Sequence, residues 1–286
     1  MRELISSGRC LTGMAALLLC IMVAPEAFGQ LTADDIAVLE QRAIDEGWTF
    51  TVRETPATQY SLDQICGLNE PPNWRTQGQY EELSVTRDLP DAFDWRDEFT
   101  LTPVKNQGGC GGCWAFAANG VFENLMKMKD SVEIDLSEQW LISCSDAGTC
   151  EHGGWYSDAF PYYQYQTDIC GDHGAVLEAD YPFEEADSPC ACPVPHYFHI
   201  NSWAWIGSGA YSTPTIEQMK QAIVEYGPIA IALHASDALQ AYGGGIFNAC
   251  ETGSINHATV LVGWDDTQGT NGVWIMRNSW GQGWGE

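Results

Sequence analysis

A cysteine becomes a nucleophile when its surroundings favour the thiolate. The stretch Gln107-Gly108-Gly109-Cys110-Gly111-Gly112-Cys113-Trp114-Ala115-Phe116 offers such surroundings. Its small residues let the backbone approach closely, and a helix is predicted to begin at Cys113. A thiol there feels the positive end of the helix dipole and exposed amides, which favour the charged form. Gln107 could supply a side-chain donor to an oxyanion, beside the backbone N–H of Cys113. Read locally, Cys110-x-x-Cys113 could instead be a redox pair, or both cysteines could be structural.

A thiolate in acyl transfer also wants an imidazole that stabilises it and later protonates the leaving amine. The chain has 6 histidines. His152, His173, His196, His199 and His234 have no suggestive context. His257 differs, because it opens the apolar strand running from Ala258 to Trp264. Further on, Arg277-Asn278-Ser279-Trp280-Gly281 follows a predicted strand over Val273–Met276. The Asn278 amide could hold the imidazole there, with Trp280 shielding their hydrogen bond from water.

The elements that must position these groups fall into two textures. Residues 113–165 read as helical, with Ala118, Val121, Phe122 and Leu125 on one face and a second helix opening at Leu136-Ser137-Glu138-Gln139. From about Pro193 the chain turns strand-like, at Trp203–Ile206, Ile229–Leu233 and Thr259–Trp264. One amphipathic helix, Thr215–Tyr226, interrupts them and stops at Gly227-Pro228. A helical half followed by a β half predicts an α+β fold with a cleft between the halves.

Upstream, Thr32 caps a predicted helix with Ile36, Leu39, Ala43 and Ile44 at helical spacing. A capping-box spacing at Ser61-Leu62-Asp63-Gln64 leads into Ile65 and Leu68. The polar, Pro-broken stretch between Leu68 and Leu83 reads as an exposed linker. At the start, Arg2 and Arg9 precede the apolar run Met14–Ala24, and small residues follow near Gly29, the pattern of a secretory signal over residues 1–29. The run is too short to span a bilayer. Export permits disulfides, so the 11 cysteines read first as staples. A net charge of −27 argues against nucleic acid or an anionic membrane surface as partner.

Over 89–286 the sequence resembles the papain family of cysteine proteases. The likeness rests on Leu89-Pro90, Phe93-Asp94-Trp95-Arg96, Pro103-Val104-Lys105-Asn106-Gln107, the Cys113 segment, Leu136-Ser137-Glu138-Gln139, Gly227-Pro228, Gly244-Gly245-Ile246-Phe247, and the His257 and Asn278 contexts. In C-x-x-C redox domains neither of those last two contexts is expected. The resemblance implies a helical lobe over about 89–192 and a β-barrel-like lobe over about 193–286. It implies a Cys113, His257, Asn278 catalytic trio with Gln107 completing the oxyanion hole, and neither metal nor cofactor. Gly153-Gly154 would pair with a polypeptide substrate as a short antiparallel strand. Trp155, Tyr156, Ile255 and Asn256 would line an apolar pocket, and Trp280 would shield the histidine. Disulfides Cys110–Cys150 and Cys144–Cys190 follow from the resemblance, and Cys170–Cys192 from the two cysteines left over.

The chain departs from the family pattern in places. Pro161 is expected to kink or shorten a helix. The family's long prosegment motif is not recognisable in 30–88, whose Ile65-Cys66-Gly67 resembles the shorter cathepsin B-like type. The occluding loop with two histidines is missing, which favours an endopeptidase. The expected product is an inactive precursor that its own prosegment inhibits; the alternative is a non-catalytic binding protein on the same fold. Cys250 is expected to pair with a cysteine downstream of Glu286, so the sequence reads as a fragment lacking C-terminal strands.

Overall fold

The computed structural model describes residues 29–84 and 88–286; the proposed signal run and a cut at Arg87 fall outside them. The described chain starts with α1 (Ala33–Glu46), where the side chains of Thr32 and Asp35 cap each other's backbone amides and Gly47 ends the helix in the left-handed region. Ile36 and Leu39 are buried, but Ile44 is 74% exposed and so lies off the apolar face predicted for it. Strand β1 (Thr49–Val52) follows, then the short α2 (Leu62–Ile65) with the expected Ser61–Gln64 capping box.

The stretch read as an exposed linker is instead anchored. Trp74 is 4% exposed, and Gln79–Glu81 forms β2. Its Pro and polar residues break helix and strand periodicity, but they do not stop one indole from finding an aromatic site.

Beyond it come β3 (Ala92–Asp94) and the short α3 (Trp95–Glu98). The helical lobe is built on α4 (Cys113–Asp130), followed by α5 (Glu138–Cys144), which Ser137 caps through the Trp140 amide. Two short strands, β4 (Gly148–Thr149) and β5 (Gly153–Gly154), pair with each other and lead into α6 (Tyr156–Gln164). That helix runs through Pro161 and ends after 9 residues, with the amides of Tyr165 and Gln166 both on the Pro161 carbonyl. Trp114, Trp140, Trp155 and Tyr163 fill the core of this lobe.

The second lobe begins with β6 (Ala204–Ile206), which pairs in parallel with β2. Then come α7 (Ile216–Tyr226), β7 (Ile229–Leu233), α8 (Asp237–Gln240), β8 (Tyr242–Ile246), β9 (His257–Asp265) and β10 (Val273–Arg277). β9 is the hub, paired antiparallel with β10, β3 and β7. Among the described residues this sheet stays open and does not close into the expected barrel. The remaining strand, β8, pairs with β1, so the N-terminal region is joined to the second lobe.

All three expected disulfides form: Cys110–Cys150, Cys144–Cys190 and Cys170–Cys192. Among the described residues no helix is long and apolar enough to cross a membrane.

Candidate active site

Cys113 is the first residue of α4, fully buried where that helix meets the second lobe. With Cys110 bonded to Cys150, the redox pairing of Cys110 with Cys113 is closed off. His257 is the first residue of β9, also fully buried, and its Nε2 lies 2.8 Å from Asn278 Oδ1. Asn278 stands just past β10, whose pairing with β9 sets the two side chains side by side. The same Oδ1 accepts the Ser279 amide at 2.8 Å, which leaves Nε2 as the donor. The Trp280 ring lies on the imidazole, 4.6 Å between centroids and 28° from parallel. The other imidazole nitrogen, Nδ1, has no hydrogen-bond partner among the described residues.

Gln107 is held from three sides. Its Nε2 donates to the carbonyls of Cys110 and Ile65, each at 2.8 Å, and its Oε1 accepts from Ser279 Oγ at 2.6 Å. Ser279 had no role assigned from the sequence, although it sits inside the motif singled out there. Its hydroxyl fixes which way the Gln107 amide points.

The chain crossing this site is the segment around α2. Gly67 O accepts from Gly154 N at 2.9 Å, Asn69 N donates to Gly154 O at 2.9 Å, and Leu68 N donates to Asn256 O at 2.9 Å. The bridge between Leu68 and Gly154 is parallel. Gly67 has to be glycine here, since a Cβ would stand 1.9 Å from the Gly111 carbonyl oxygen. Gly153 takes a φ of +68°, and a Cβ there would stand 2.0 Å from Gly67 O.

Trp155 and Tyr156 are buried and stacked at 4.9 Å, in the apolar cluster that also holds Leu68, with Ile255 packed against it. Asn256 reaches the site through its backbone. Its side chain is consumed by the Ala235 backbone, accepting at 2.7 Å and donating at 3.0 Å, so it offers the site only its carbonyl.

The electrostatics also differ from the sequence expectation. Burial pushes the Cys113 thiol up to about 12, although the amides of Ala258, Gly67, Trp114 and Cys113 itself pull the other way. Burial takes His257 down to about 4, against its hydrogen bond to Asn278. With water excluded, the neutral pair is favoured over thiolate and imidazolium, and the helix-end effect is outweighed.

An α+β body with the thiol on the helical side and the imidazole–amide pair on the sheet side falls in the class of papain-like folds. The chain belongs to the papain family: the family described as papain family cysteine protease matches residues 89–286. Ananain from Ananas comosus is 34% identical over 227 residues, covering 78% of this chain and 61% of the relative. Cathepsin J of Mus musculus is 37% identical over 210 residues, covering 70% of this chain and 59% of the relative. The chain thus spans about three fifths of the curated relatives it matches. Among solved structures, procathepsin L2 from the larval midgut of Tenebrio molitor is similar, at 29% identity and a TM-score of 0.74. It covers 88% of this chain, and 82% of its own length is covered.

Proposed function

We propose that this chain is the precursor of an exported cysteine endopeptidase, with residues 1–29 as leader, 30–88 as an inhibitory prosegment and the mature domain starting near Leu89. One observation carries the reading. Beside the helix that bears Cys113, Gln107 Nε2 already holds a peptide carbonyl at 2.8 Å, that of Ile65. An oxyanion donor must hold a carbonyl in this way, and the Ile65 carbonyl stands in for a substrate's scissile one.

In the open site, Cys113 gives its proton to His257 Nδ1 and attacks the carbonyl carbon. The oxyanion is held by Gln107 Nε2–H and the Cys113 amide. His257 then protonates the leaving amine, and water hydrolyses the acyl-enzyme. Asn278 keeps the imidazole turned so that Nδ1 faces this work, and Trp280 keeps water from their bond.

A substrate would run antiparallel to Gly153-Gly154 and place a bulky apolar side chain against Trp155, Tyr156 and Ile255. Leu68 is an apolar residue of that kind in the same cluster, but its strand runs the other way, so the segment blocks the site without being presented as substrate. The test is peptide hydrolysis by the matured form, with an epoxide label on the nucleophile. Label on Cys113, and no turnover by Cys113→Ala, is expected; full turnover by that variant would refute the assignment.

A further inference from the structure

A second thiol lies beside the nucleophile, and the proposed mechanism does not use it. Cys66 closes α2, its amide on Leu62 O at 2.7 Å. The residues on either side of it are pinned to the active site. Ile65 O sits on Gln107 Nε2, Gly67 O on Gly154 N, and Leu68 N on Asn256 O. The Gly67 amide is directed at the Cys113 thiol. Cys66 is therefore one residue, about 3.8 Å of chain, from an amide that acts on that sulfur. Its side chain packs in the cluster of Trp280, Ala235 and Leu239, and Trp280 is the ring lying on His257. Six of the seven cysteines of the helical lobe are consumed in disulfides; the seventh is Cys113, which remains a thiol, as does Cys66.

We propose that Cys66 is a latent disulfide partner of Cys113, so that oxidation locks the covering segment onto the nucleophile and makes maturation depend on a reductant. This rests on the reading of Cys113 as nucleophile. In the closed form burial keeps both thiols protonated, so exchange proceeds through partial opening of the segment. The opened Cys113 thiolate attacks a small disulfide such as oxidised glutathione, forming a mixed disulfide and releasing one glutathione thiolate. Cys66, losing its proton to His257, then attacks the Cys113 sulfur and expels the second glutathione thiolate. The two protein thiols lose two electrons and two protons, and one glutathione disulfide becomes two thiols. A cysteine pair bridges when its Cα atoms come within about 7 Å, and the backbone bonds of Ile65 and Gly67 hold Cys66 at the site while the segment opens only in part.

The experiment uses the whole precursor, incubated with oxidised glutathione at mildly acidic pH, then alkylated and mapped without reduction. A peptide linking Cys66 to Cys113 is expected, with loss of self-processing and its return on adding dithiothreitol. In Cys66→Ser the linked peptide should vanish and Cys113 should carry glutathione. If the native precursor yields only glutathione on Cys113, with Cys66 still alkylated, the latch is overturned. Epoxide labelling of Cys113 in a reduced, matured sample reads the catalytic assignment separately, so either reading can fail alone.

Discussion

The carbonyl of Ile65 occupies the amide of Gln107 at 2.8 Å, and Ser279 holds that amide in place. A donor so engaged cannot serve an incoming substrate. The precursor should therefore be inactive toward peptides, and removing 30–88 should restore turnover. Assaying both forms at equal Cys113 titre checks this; equal rates would contradict an inhibitory role for the segment.

Side-chain roles separate in the matured form. His257→Ala should lose roughly 10²–10⁴-fold in kcat, the range for a general acid–base. Asn278→Ala should lose less, because the amide orients the ring and transfers no proton. Ser279→Ala frees Gln107 Oε1, so kcat should fall with KM little changed. Steady-state kinetics on folded variants decides the order, and a larger loss from Asn278→Ala than from His257→Ala would contradict it.

Much of this site was legible because its signals are local. The caps at Thr32 and Ser61 and the apolar strand behind His257 are written in spacings of a few residues. What was missed depends on the covering segment. The helix-end argument gives a low Cys113 pKa, but burial of the thiol reverses its sign. Asn256 was placed at the pocket without a role for its side chain, because nothing in the sequence reveals that its amide would be spent on Ala235. Residues 69–83 looked like a linker because composition cannot show that Trp74 meets Trp205, far along the chain.

Closure should weaken in acid. Burial lowers His257 from 6.5 to about 4, so the closed form binds fewer protons than an open form with a solvated imidazole. Closure is then at full strength above about 6.5 and is lost as pH falls toward 4, by about 3 kcal/mol in all. On the alkaline side, the thiol that burial keeps protonated disfavours closure once the pH is high enough to ionise the site in its open form. Hydrogen exchange of amides 64–69, corrected for intrinsic rates, should show protection falling between pH 7 and 4. That loss should be absent in His257→Gln. Unchanged protection in the native precursor would sink the claim.

The last prediction concerns Trp74, which anchors the covering segment after it leaves the cleft. Its ring lies 4.8 Å from Trp205 and 5.5 Å from Trp155, its Nε1 donates to Glu70 at 2.5 Å, and the Arg75 guanidinium stands 4.3 Å over it. Just beyond, Trp205 Nε1 donates to Gln77 O at 3.0 Å, and β2 runs along β6. Truncating a buried indole costs about 3–5 kcal/mol, and here that loss falls on segment docking more than on the core of either lobe. In Trp74→Ala, residues 70–84 should be nicked faster by an added protease, while the matured domain keeps its melting temperature. Supplied as a separate chain, the variant 30–88 segment should inhibit the matured form far more weakly than the native one. Trp74→Phe should restore most of the inhibition, since a ring still fills the space between Trp155 and Trp205. Equal inhibition by the native and Trp74→Ala segments would mean that the contacts of Ile65, Gly67 and Leu68 hold the segment without this anchor.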